Sequence, residues 1–195
     1  MLPAMIKGRW LAAVFAVVVP AEAALAAACR GVEFADSVEV DGRALALNGL
    51  GLRLATLLGV KVYVAALYVT EPSRDARRVL EAGAPKRLTL HFLRDVDADD
   101  LNASWDEGFA RNASDRLPAL RAEVARLKSW MSDVRAGQRL VLTQRADGAI
   151  EVEVAGKLAG TLDAEGLAAA LFSLWLGPRP PNPELKAGLL GGGCE

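Results

Sequence analysis

Histidine is almost absent from this 195-residue chain: His91 is the only one. That excludes a metal centre built on several imidazoles, and any Ser-His-Asp arrangement would have to use His91. Cysteine is nearly as scarce, with Cys29 and Cys194 at opposite ends of the sequence and no Cys-x-x-Cys pair, so a dithiol redox motif is excluded. An excess of charge of either sign is missing too: 23 Lys and Arg against 24 Asp and Glu give a formal net charge of −1. A nucleic-acid binder would show a basic face, and a disordered tail a block of like charge; neither is present. Beyond the first 28 residues no stretch approaches 18 uninterrupted apolar residues, so no integral membrane segment is expected after them.

Those first residues have an organisation of their own. Lys7 and Arg9 precede a short apolar run from Trp10 to Val19, Pro20 breaks it, and Ala21-Glu22-Ala23 or Ala24-Leu25-Ala26 offers small residues for cleavage. The pattern predicts a secretory signal peptide over residues 1–28 and a single domain over 29–195, hence a periplasmic or secreted protein. In an oxidising compartment, Cys29 and Cys194 are expected to form a disulfide tying the termini together. Closing a loop that long is worth roughly 4–5 kcal/mol on the chain-entropy account. The rival is lipid acylation of Cys29, but Ala26-Ala27-Ala28-Cys29 lacks the branched aliphatic residue such a box carries at its third position back.

Apolar residues make up 52% of the chain, and beyond residue 28 they follow two periods. Period two, with turn signals at Asp41-Gly42, Leu58-Gly59 and Asp147-Gly148, predicts strands around Gly31–Leu47, Leu47–Ala55, Val60–Val69, Lys86–Leu93, Gln138–Gln144, Ala149–Val154 and Lys157–Leu162. Val60–Val69 is apolar on both faces and must be covered on both sides. Helical spacing appears in a short segment ending near Glu81, from Asp97 to about Ser114, after Pro118, from Ala164 to Leu176, and over Glu184–Leu190. Hairpin signals without β-α-β alternation predict an antiparallel α+β domain. Asn48-Gly49-Leu50-Gly51-Leu52 is no dinucleotide fingerprint, because no helix opens after it.

Chemistry is concentrated in two places. On one strand, Gly49, Gly51, Arg53 and Ala55 share a face, which predicts open space around a guanidinium. A buried charge is costly unless paired, so Arg53 either has a protein partner or awaits an anionic ligand. On the helix opened by Asp97, residues Leu101, Trp105, Gly108 and Asn112 share a face, setting an indole N–H and an amide on one groove. His91 reads most simply as a hydrogen-bonded strand residue; axial ligation of a haem is the alternative.

Gly-x-Gly-x-Arg on a strand, a following Val-Tyr strand, the Trp105–Asn112 helix and a late Leu174-Trp175-Leu176-Gly177, in that order, resemble the chalcone isomerase-like family, and more narrowly its exported bacterial branch. The resemblance implies an open-faced β-sandwich: a large antiparallel sheet, a layer of helices on one side, and a ligand cleft between them. In the plant enzymes an arginine holds oxyanions while a threonine, a tyrosine and an asparagine place water and polarise a ketone. Arg53 matches the arginine and Asn112 the asparagine; Trp105 stands where the tyrosine would be, Tyr63 where the threonine would be, and a substrate-contacting serine or threonine falls near Ser173. The anion-holding group is kept and the ketone-polarising set is altered. The resemblance therefore implies a ligand-binding protein without efficient chalcone cyclisation, its ligand a small apolar molecule with an anionic head such as a fatty acid. Cofactors are not expected, haem at His91 being the alternative borne by some relatives; an isomerase or intramolecular lyase using Arg53 as oxyanion clamp is the enzymatic alternative.

Overall fold

The computed structural model describes residues 26–55 and 59–194. The segment read as a signal peptide lies outside them except for Ala26–Ala28, and Leu58 of the predicted turn lies outside them too.

The described residues begin with a two-stranded hairpin, β1 (Ala26–Cys29) and β2 (Val32–Ala35). A seven-stranded antiparallel sheet follows, built from β3 (Ser37–Val40), β4 (Arg43–Ala55), β5 (Val60–Val69), β6 (Lys86–Phe92), β7 (Arg139–Gln144), β8 (Ile150–Val154) and β9 (Lys157–Leu162). Each strand pairs with its neighbour in sequence, so the sheet is a pure meander. The β3–β4 turn uses Asp41 and Gly42 at φ 52° and 71°, the left-handed pair that a two-residue hairpin loop requires. Five helices interrupt and close it: α1 (Ala76–Glu81), α2 (Ala98–Asn112), α3 (Leu117–Ser129), α4 (Leu167–Leu176) and α5 (Pro183–Leu189). This is the α+β, open-faced arrangement of a large antiparallel sheet with a helical layer.

The helices cover one face. Tyr63, Ala65 and Leu67 of β5, Leu88, Leu90 and Phe92 of β6, and Leu140 and Leu142 of β7 form one core with Leu101, Trp105 and Phe109 of α2 and with α3 and α4. The opposite face of β4 and β5 is not left bare: Leu50, Leu52, Val64, Ala66 and Tyr68 pack under Cys29 and Phe34 of the first hairpin. The apolar-both-sides strand is thus covered by helices on one side and by a hairpin on the other. Cys29 and Cys194 are disulfide-bonded, their Cα atoms 5.8 Å apart.

The glycines before Arg53 do not enlarge a cavity, contrary to the expectation from their face. A Cβ on Gly49 would run into the carbonyl oxygen of Gly188, and one on Gly51 into that of Leu185. They let the backbone of α5 lie directly on β4. Asn48 reinforces the contact, donating to Leu189 O (2.7 Å) and Ser73 O (3.1 Å) and accepting from Ser73 N (2.7 Å).

Lys86 is a buried cation at the far end of the sheet. It is 2% exposed, donates to Ala82 O at 2.8 Å, and lies 5.5 Å from the ring centre of Phe172. Burial lowers its pKa to about 8, from 10.5. Between those values the unfolded chain binds more protons than the folded one, so stability rises with pH across that window. Denaturant titrations from pH 8 to 10 should show that rise, and Lys86→Met should flatten it.

Candidate functional site

One large cleft opens between the helical layer and the inner face of the sheet, with a volume of about 570 Å³. That is the size range of small-molecule sites. Leu90, Phe92, Leu101, Leu140, Leu174 and Trp175 give it an apolar interior. Arginines stand around it: Arg53 on the wall, and Arg94, Arg111 and Arg179, all exposed, at the rim.

Arg53 and Tyr63 are direct cross-strand partners of β4 and β5, and Tyr63 is in turn the partner of Phe92 on β6. This row places a guanidinium beside a phenol on the cleft side of the sheet. Asn182, the N-cap of α5, holds the strand on both sides of Arg53, donating to Leu52 O (3.2 Å) and accepting from Leu54 N (3.3 Å). Arg53 itself is half-buried and bonds through Nη1 to the adjacent Leu54 carbonyl. Among the described residues no carboxylate forms an ion pair with it, nor with Arg94 or Arg179. Of the three carboxylates on the cleft, Glu107 pairs with Arg111, and Asp95 with Arg135 and Ala136 N, bonds that hold the Asp95 carboxyl below its usual range; Asp100, in the first turn of α2, forms no ion pair among the described residues.

The helical layer supplies aromatic walls. Trp105 of α2 and Trp175 of α4 meet edge to face, centroids 5.7 Å apart. Trp175 Nε1 donates to the Tyr63 hydroxyl oxygen at 3.0 Å, and the Tyr63 ring meets Phe92 edge to face. Burial pushes the Tyr63 phenol up to about 12, against the opposing pull of the Trp175 hydrogen bond and of Arg53, so it stays protonated at neutral pH. The indole N–H of Trp105 is buried and has no acceptor among the described residues. The close meeting of α2 and α4 depends on Gly108, where a Cβ would press into the Leu174 side chain at 2.7 Å.

The sequence-predicted residues therefore divide. Arg53, Tyr63 and Trp105 come together on the cleft. Asn112 is turned instead to the loop after α4, donating to Arg179 O and accepting from Arg179 N, both at 2.9 Å, so it fixes the segment that carries Arg179. Ser173 is buried within α4 and donates to Ala170 O at 2.6 Å. His91 is on the other face of the sheet, against Phe34, with Nδ1 accepting from Arg139 Nε at 3.3 Å. Burial and Arg139 lower its pKa. A haem held in the cleft does not fit this histidine. Two further residues line the cleft: Trp175, which the sequence shows only as part of the Leu174-Trp175-Leu176-Gly177 motif without a site role, and Arg94, which the alternation Leu88, Leu90, Phe92 continues to and puts on the cleft side.

Residues 26–191 match the family described as chalcone isomerase-like. The chain belongs to that family. Among solved structures it is similar to a fatty-acid binding protein of Arabidopsis thaliana, with a TM-score of 0.63 and 17% identity over 82% of this chain and 92% of that one. At that identity the likeness establishes the shared chalcone isomerase-type fold. No curated protein sequence matches the chain. Among the described residues no helix is long and apolar enough to cross a membrane, and no cluster of potential metal ligands occurs.

Proposed function

We propose that this chalcone isomerase-like protein is an exported, non-catalytic carrier of an amphipathic ligand: an apolar body in the cleft and a carboxylate, as in a long-chain fatty acid, at Arg53. The observation that carries the reading is a half-buried guanidinium on the wall of an apolar cleft with no carboxylate partner among the described residues. The fatty-acid binding protein of the same fold supports the choice of ligand. Against catalysis stands the set of side chains around Arg53: Tyr63, Trp105 and Trp175 offer donors, and none is a base near neutral pH.

Export rests on the charged and apolar pattern of residues 1–28, and a disulfide suits an oxidising compartment. Because β1 begins at Ala26, cleavage after Ala23 leaves the first hairpin whole, whereas cleavage just before Cys29 would remove most of β1. A calorimetric titration with dodecanoic acid tests the reading. Saturable one-to-one binding is expected; no binding of this acid or of longer saturated acids refutes it.

A further inference from the structure

The hydrogen bond from Trp175 to Tyr63 has a consequence for which head groups the cleft accepts, and it rests on the binding reading above. A phenol can donate or accept. Here its oxygen already accepts from Trp175 Nε1 at 3.0 Å, in a buried contact, and its proton has no acceptor among the described residues. Arg53, directly across the strand pair, has only donors, as has the indole of Trp105, whose N–H is also unmatched. The rim carboxylates sit outside this row, two of them engaged by Arg111 and by Arg135.

We infer that Trp175 is a positioning residue that occupies the Tyr63 oxygen and leaves its proton for the head group, so that the head site favours groups with acceptors alone. An ionised carboxylate satisfies every donor it meets. A primary alcohol or amide brings a proton of its own that finds no free acceptor among Arg53, Tyr63 and Trp105, and a buried unmatched donor is penalised. The discrimination thus comes from the direction of one phenolic proton in addition to the charge of Arg53. Removing the indole N–H frees the phenol oxygen to accept, and the site then accommodates a donor as well.

The test compares dodecanoic acid with dodecan-1-ol on the full protein and on Trp175→Phe. The wild type is expected to favour the acid by more than about tenfold. In Trp175→Phe the alcohol should bind about tenfold more tightly while the acid holds or weakens. Simple loosening of the cleft would weaken both ligands together, so a tightened alcohol separates positioning from packing. An unchanged acid-to-alcohol ratio overturns the inference and leaves the carrier reading standing; failure of the acid to bind the wild type removes both. Should Trp175→Phe not fold, Tyr63→Phe serves. It deletes the donor itself and should narrow the ratio about fivefold, and an unaltered ratio there equally overturns the inference.

Discussion

Arg53→Ala is expected to weaken long-chain-acid binding by about ten- to a hundredfold while leaving the fold intact. A charge-assisted hydrogen bond to a carboxylate is worth about 1.5–3 kcal/mol, and about 1.4 kcal/mol is a factor of ten in affinity. The fold should survive because Arg53 bonds only to the neighbouring Leu54 carbonyl and no described carboxylate is left unpaired by its loss. The strand around it is held by Asn182 and by pairing with Tyr63, neither of which needs the guanidinium. Arg53→Lys keeps the charge but not the planar fork, so it should fall between wild type and alanine. Calorimetric titration gives the affinities and thermal unfolding the stability. Equal affinity in wild type and Arg53→Ala would show that the head group is bound elsewhere.

The largest stability effect should come from the opposite side of the sheet. Cys194→Ser or Cys29→Ser is expected to cost about 3–5 kcal/mol and lower Tm by about 10 °C, with the double substitution no worse than either single one. The bond closes a loop spanning 165 residues of sequence, so its absence frees a large unfolded ensemble. It also joins the first hairpin, whose Cys29 and Phe34 cover the outer core, to the segment following α5. Urea unfolding with and without reductant measures it; identical midpoints would mean that the bond contributes nothing to stability.

Most of the architecture was legible because it follows from periodicity. The α2 start at Asp97, which accepts from Asp100 N at 2.8 Å, and the α3 stripe of Leu120, Val124 and Leu127, all buried, are local patterns. So was the pairing of Cys29 with Cys194, since two cysteines allow one intramolecular bond. The first hairpin was not legible, because Ala26–Cys29 reads equally as the end of a signal peptide. At the site, strand alternation and helical spacing brought Arg53 and Trp105 into view, and the family resemblance added Tyr63. What sequence spacing does not encode is which neighbouring element fills the space beside a residue. Gly49 and Gly51 therefore suggested a void where α5 sits, and Asn112, placed seven residues after Trp105, proved to grip the backbone of Arg179. Trp175 was visible as part of the Leu174-Trp175-Leu176-Gly177 motif, but its role was not: within an apolar helix, only the tertiary contact with Tyr63 distinguishes it from core.

The central claim is that the cleft holds an amphipathic acid at Arg53. Native mass spectrometry of the protein expressed from its full 195-residue sequence, followed by release and identification of whatever is bound, addresses it most directly. The account predicts an added mass released as a long-chain acid, present in the wild type and lost in Arg53→Ala. An empty cleft in both proteins, or a retained ligand without an anionic group, would contradict it.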